Sequence, residues 1–234
     1  MNAKAPMAEM EPIERLTLGN RAYRQIADLL IAGRLAPGDR MSLRSTADAL
    51  GVSMMPIREA VTRLVADHAL EVAPNRAIRV PVMSAERFRD LTAARIVVES
   101  HAAARAATLR DAADLARITA LEQAFQKETQ KRQPDLAAAV AHNQALHFAV
   151  YEAARSPQLV DIIRSLWLKA GPVINLDLRA NPERLKHTRA VQFHADLVAA
   201  IAAQKAPAAQ HAIEQDLQSA ADFILSQGTL PTEE

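Results

Sequence analysis

The segment from Pro37 to Val80 constrains the fold more than any other, because its helix starts, its turn and its late alternation fit only one kind of small domain. Ser42 precedes LRSTADAL, and a serine hydroxyl can accept one of the backbone N–H groups left unpaired where a helix begins. A helix is therefore predicted over Leu43–Leu50, with Gly51 as the turn after it. Ser53 is the next cap candidate, and Pro56 in the turn that follows sits where N–H groups have no intrahelical partner anyway. This second helix is predicted to run to about His68. At helical spacing Ile57, Val61 and Leu64 form its buried stripe, which turns Met54, Met55, Arg58 and Thr62 outward. Beyond it Leu70 and Val72 alternate, Pro74-Asn75-Arg76-Ala77 makes a turn, and Ile78 and Val80 alternate back as a small hairpin.

Two short helices around a tight turn, followed by a wing, is an arrangement that lays one helix in the major groove of DNA. Helical proteins that bind no DNA carry similar pairs, so the pair alone leaves both readings open. The full string is more specific. Leu35-Ala36-Pro37-Gly38, Leu50-Gly51-Val52-Ser53, Pro56-Ile57-Arg58-Glu59-Ala60 and Asn75-Arg76 closely resemble the winged-helix domain of the GntR family of bacterial transcription regulators, over residues 15 to 80. The resemblance implies contacts with a double-stranded operator at Arg44, Arg58 and Arg76, and Ser53, Met55 and Thr62 are further candidates on or beside the recognition helix. A guanidinium suits the task, since it can pair bidentately with guanine O6 and N7 or bridge phosphates. Two positions depart from the family: Met54 stands where arginine is usual, and Ala77 where glycine is usual. Met54 cannot donate a hydrogen bond, so the operator is expected to differ from the family's commonest half-site.

A chain of 234 residues, half of them apolar, suffices for one or two packed domains. Aromatic residues are only 3% and glycines number six, while alanine is abundant, so the chain is predicted to be nearly all helix apart from the wing. That scarcity leaves no stacking platform for single-stranded nucleic acid. The net charge is +1, and the first 80 residues hold 11 Lys and Arg against 9 Asp and Glu. DNA affinity must then come from local arginines and be salt-sensitive. With no cysteine, disulfides and thiolate chemistry are excluded. The first 16 residues lack the apolar core of a signal peptide and no run is long enough to span a membrane, so a cytoplasmic protein is expected.

Past Val80 the sequence turns to long alanine-rich segments, punctuated at Asp111, Pro134-Asp135, Ser156-Pro157, Gly171-Pro172, Asn181-Pro182 and Ala206-Pro207. Prolines just inside helix starts are expected punctuation, so six or seven helices are predicted. The expected organisation is a flexible tail at 1–14, a winged helix-turn-helix at 15–80, an all-helical bundle at 81–229 and a short tail at 230–234. The fold class is mainly α, with the wing as its β component.

Arg95 and Glu99 are one turn apart in the first bundle helix, where the plain reading is an i,i+4 ion pair. Facing the interior, Arg95 could instead clamp a carboxylate with its planar donors. Through LTAARIVVE, NQALHFAVYEAARSPQL and FHADLVAAI the region resembles the FCD ligand-binding domain of the FadR subfamily. That domain commonly builds a metal site from an aspartate and a histidine one turn apart and two later histidines, positions that here hold Asn143, His147, His194 and Asp216. Two of the four depart from the pattern, with the carboxylate moved from the first position to the last. A rearranged site for Zn, Ni, Mn or Fe is one account, and a polar site that has lost its metal is the other. His142 points about 100° away from Asn143 and His211 about 140° from Asp216, so neither joins the set, and His187 lies about 10 Å along the helix from His194. His68 and His101 read as surface or packing residues. The resemblance implies a homodimeric repressor of metabolic genes, released by a small carboxylate that binds at Arg95, Asn143, His147, His194 and Asp216. The alternative is a metal-dependent enzyme acting on a small organic acid, disfavoured by the lack of any nucleophile motif or phosphate-binding glycine loop.

Overall fold

The structure, a computed structural model, describes residues 17–73, 75–180 and 189–232. Pro74 of the wing turn, the Asn181-Pro182 punctuation, His187 and the tail at 1–14 lie outside the described residues. The first helix, α1 (Leu18–Ile31), starts at Thr17, whose hydroxyl accepts from the Asn20 N–H. A short strand β1 (Arg40–Met41) then leads into α2 (Leu43–Leu50), capped by Ser42 and closed by Gly51 in the left-handed region at φ 63°. Recognition helix α3 (Met54–Ala66) follows, then β2 (Glu71–Val72) and β3 (Ile78–Arg79).

Three details of this unit differ from the sequence reading. Ser53 holds the cap position of α3 but its side chain makes no cap hydrogen bond. The helix stops at Ala66, two residues early, because His68 adopts φ 56° and the chain reverses. The wing gains a strand that the alternation did not announce: β1 pairs antiparallel with β3, Arg40 opposite Arg79 and Met41 opposite Ile78, giving the order β1-β3-β2. Two residues are too few to show a period.

Ser84 caps the long α4 (Ala85–Leu109), and Asp111 and Asp114 form a reciprocal capping box at the start of α5 (Ala112–Thr129). Asp135 caps α6 (Leu136–Ala153), which is followed by α7 (Pro157–Ala180), α8 (Ala190–Ala202) and α9 (Ala206–Ser226), the last with proline in its first turn. Six bundle helices are thus found among the described residues. Gly171-Pro172 does not break the chain as predicted; α7 continues through Pro172. Proline removes only one ladder bond there. Gly171 serves instead as a contact: a Cβ on it would lie 2.6 Å from the carbonyl oxygens of both Leu30 and Ile31, so its missing side chain lets the end of α1 rest on α7. Near the end of the described chain Leu230 packs against the Phe88 cluster and the Pro231 carbonyl accepts from the Ala85 N–H.

One apolar core runs from Ile26, Leu30, Ile57 and Leu64 of the reading unit through Ala103, Leu146, Tyr151 and Leu168 of the bundle. Alanines dominate the contact faces of α4, where Ala102, Ala103, Ala106 and Ala107 are fully buried. Small side chains let the helices approach closely, which brings polar groups on neighbouring helices within reach of one another.

Candidate functional site

The recognition helix separates into two faces. Counting about 100° per residue from Ser53, the buried Ile57, Ala60, Val61 and Leu64 cluster near 20°, while Met55, Arg58 and Thr62 fall between about 140° and 200°. All three are exposed, as are Ser53, Arg44 on α2 and Arg76 at the wing tip. Met55 is 72% exposed and Met54 44%, which is a large apolar surface to leave in water at the start of a helix. Thr62 spends its hydroxyl proton on the Arg58 carbonyl at 2.9 Å, so it presents a methyl group and an oxygen acceptor. Arg76 has φ 62°, and its N–H donates to the Ala73 carbonyl, closing the turn that holds its side chain outward. The helix is braced from behind: Arg63 bonds Asn20 and stacks 4.2 Å from the Tyr23 ring, while the Tyr23 hydroxyl donates to Asp67 at 2.7 Å.

In the bundle, three of the four positions named for the metal come together. His147 Nε2 (α6) lies 3.3 Å from Asp216 Oδ2 (α9) and 3.3 Å from His194 Nε2 (α8), and His194 Nε2 is 3.6 Å from the same Asp216 oxygen. Asn143, one turn before His147, lines the same cavity but makes no side-chain hydrogen bond among the described residues. Both histidines are 1% exposed and Asp216 9%. Burial would raise the Asp216 carboxyl, but the His194 charge and hydrogen bonds from both imidazoles outweigh it and hold it well below the usual carboxylate range.

A chain of hydrogen bonds fixes the state of His147. Burial first, then the Glu99 carboxylate, push the Tyr151 hydroxyl well above its ordinary pKa, so it keeps its proton. That proton goes to Glu99 Oε2 at 2.5 Å. The Tyr151 oxygen, 2.9 Å from His147 Nδ1, must then accept from it, so Nδ1 carries the imidazole proton. In the neutral ring Nε2 is a bare lone pair, yet it points at a carboxylate oxygen. In that ring two acceptors face each other, and either a second proton on His147, whose imidazolium would donate to Asp216, or a metal ion between them relieves the repulsion. Donors sharing one ion at about 2.1 Å lie about 3.0 to 3.4 Å apart in octahedral or tetrahedral shells, a range that holds the two 3.3 Å sides of this triangle, while the 3.6 Å side would have to close slightly around a divalent metal. His194 is oriented differently: its Nδ1 is buried without a hydrogen-bond partner, and the ring packs on Phe125 with centroids 4.8 Å apart.

Arg95 is 4% exposed, and of the two readings given for it the structure shows the i,i+4 ion pair with Glu99. Its Nε and one terminal nitrogen donate to Glu99 at 2.7 and 3.3 Å, and its guanidinium also lines the cavity, 5.1 Å from the Trp167 ring. Trp167 in turn donates to Glu99 at 3.1 Å. The cavity has a volume of about 90 Å³, and Ile31 of α1 with Gly171 and Asn175 of α7 also line it. Sequence reasoning missed Tyr151 and Trp167, although Tyr151 stands at i+4 from His147 and its spacing was readable. It had no means of finding Asn175 or Ile31, because only tertiary packing brings them to the site.

His211 is exposed beside Glu214, and His68 and His101 are exposed as expected. Among the described residues no helix is long and apolar enough to cross a membrane.

Comparison with known proteins matches residues 18–80 to the bacterial regulatory proteins of the gntR family, and residues 90–219 to the FCD domain. The HTH-type transcriptional regulator McbR of Escherichia coli K12 is 30% identical over 190 residues, covering 81% of this chain and 84% of that protein. The solved structure of E. coli McbR/YncC superposes with a TM-score of 0.84 at 27% identity, over 92% of this chain and 100% of the other. A GntR transcriptional regulator from Rhodococcus sp. RHA1 gives 0.71 at 25% identity, over 89% and 97%.

Proposed function

This chain belongs to the GntR family of bacterial regulatory proteins and is a DNA-binding transcription regulator with an FCD domain, and from that premise we propose that a small carboxylate, held through a divalent metal at His147, His194 and Asp216, sets its operator affinity. The observation that carries this reading is the buried convergence of His147 Nε2, His194 Nε2 and Asp216 Oδ2, 3.3 to 3.6 Å from one another. A bound divalent cation would supply open coordination positions that an acid's carboxylate completes. Charge supports the same reading: the buried cluster holds one guanidinium, Arg95, against two carboxylates, Glu99 and Asp216. Adding a divalent ion leaves it at +1, which suits one carboxylate. Arg95 donates to Glu99 and lines the same cavity, so its guanidinium is placed to pair with the acid's carboxylate. A volume of about 90 Å³ corresponds to on the order of six to nine water-sized occupants, which limits the effector to a small acid.

The DNA reading is a homodimer whose two recognition helices enter successive major grooves of a palindromic operator. Arg58 reads base edges, Arg44 and Ser53 meet phosphates, Arg76 reaches into the flanking minor groove, and Met55 with Thr62 offers apolar contact to thymine methyl groups. Binding of the acid favours one arrangement of the reading heads and releases DNA, so the protein acts as a repressor.

Titration of Zn, Ni and Mn into chelator-stripped protein tests the site. Stoichiometric binding that His147→Ala abolishes is expected, followed by stabilisation of the metal-loaded form by small carboxylates. Equal metal binding by wild type and His147→Ala overturns the assignment, and turnover of an acid by the loaded protein favours the enzyme alternative.

A further inference from the structure

Asn175 sits where the cavity meets the reading unit. Its side chain is 6% exposed, and its amide nitrogen donates twice: to the Ile31 carbonyl at the end of α1 at 2.9 Å, and to the Gly171 carbonyl one turn back at 3.0 Å. Two carbonyl acceptors fix the orientation of the amide, because a flipped group would set oxygen against oxygen at both. The Oδ1 atom is therefore directed away from both carbonyls, and it accepts no hydrogen bond among the described residues although the residue lines the cavity. An amide oxygen that has no protein donor and stays open to the cavity can accept from a donor on a ligand in place of water. Packing leaves Asn175 no other position: a Cβ on Gly33 would lie 2.1 Å from the Asn175 Cβ, and one on Gly171 would collide with α1.

We propose that Asn175 Oδ1 is a specificity-determining acceptor, and that the effector is an acid bearing a hydroxyl or ammonium donor at its end remote from the carboxylate. This rests on the reading that the carboxylate is held at the metal and Arg95. The cavity lining then combines a cationic group, the metal ligands with Arg95, and an acceptor at Asn175, with apolar surface from Phe125, Trp167 and Ile174. Because the same amide holds the Ile31 carbonyl, the donor end of the ligand engages the residue that joins the bundle to α1 of the reading unit.

The probes are ω-hydroxy acids of three, four and five carbons, each paired with its unsubstituted parent acid. The three-carbon acid can close a six-membered chelate on the metal and serves as the chelation control, whereas the four- and five-carbon acids would need rings of seven or eight atoms, so those two pairs report on the remote end of the cavity. Calorimetry on full-length, zinc-loaded protein is expected to show at least one hydroxy acid binding about two- to tenfold more tightly than its parent, the range of one net hydrogen bond. In Asn175→Ala that preference vanishes while the parent acid still binds. Equal binding within every pair in the wild-type protein overturns the assignment of Asn175 and leaves the carboxylate site standing. Binding of no acid of either series overturns both. The wild-type comparison decides the matter even where Asn175→Ala fails to fold.

Discussion

Tyr151→Phe isolates the link between Glu99 and His147. The variant keeps the ring, which is fully buried and edge-on to Phe148 at 5.9 Å, so packing is preserved while a single oxygen is lost. Glu99 retains Arg95 and Trp167 as donors, and its carboxylate is not stranded. His147 loses the acceptor for its Nδ1–H, 2.9 Å away in the wild type, and with it the constraint that presents Nε2 to the site. Partners that orient a metal-bound histidine are worth about 10- to 100-fold in metal affinity. At 1.36 kcal/mol per tenfold, that is about 1.4 to 2.7 kcal/mol. Competition against a chromophoric zinc chelator measures it, and melting of the metal-free proteins separates affinity from folding. A zinc affinity within twofold of wild type, with both proteins folded, would refute the argument that Tyr151 sets the His147 tautomer.

Four further outcomes follow from the same geometry. Gly171→Ala puts a methyl group 2.6 Å from two α1 carbonyls, and overpacking of this kind is expected to lower thermal stability by about 1 to 3 kcal/mol, read by melting; an unchanged midpoint would show that α1 does not rest on α7 in solution. Arg58→Ala should cost about 1 to 3 kcal/mol of operator binding by fluorescence anisotropy, whereas Met55→Ala should abolish discrimination between thymine and deoxyuridine at one operator position, since those bases differ only in a methyl group. Metal binding releases protons from its imidazole ligands, so zinc affinity measured at pH 8, 7 and 6 should decline with acidification; a flat profile would place the metal elsewhere.

Much of the reading unit was legible because its signals are local. Ser42, Gly51 and the Ile57-Val61-Leu64 stripe each act within a turn of their own position, and they formed the elements expected of them. The strand at Arg40–Met41 was not legible, since its two residues acquire strand geometry only by pairing with Ile78 and Arg79. Gly171-Pro172 misled for a related reason. Both residues usually mark a break, but here the glycine serves a contact with a helix about 140 positions earlier in the chain, and the proline is tolerated inside α7. In the site, the i,i+4 relation of Arg95 and Glu99 was readable, and so was the placement of His147, His194 and Asp216 once the resemblance to the FCD domain had been drawn. What spacing could not reveal is that Glu99 answers to four groups at once. Arg95, Tyr151 and Trp167 bond it directly and His147 is reached through Tyr151, so a helix-bracing pair also supports the buried histidine cluster.

The most direct test couples the two ends of the molecule. Operator fragments captured from genomic DNA at near-physiological salt would be labelled, and their anisotropy followed with chelator-stripped and zinc-loaded protein, each with and without an acid that stabilises the loaded form. The account predicts that the acid weakens operator binding by the zinc-loaded protein and leaves binding by the stripped protein or by His147→Ala unchanged. An acid that acts equally on the stripped protein, or a loaded protein whose operator affinity ignores every acid it binds, would contradict the claim that the buried His147, His194 and Asp216 group controls DNA binding.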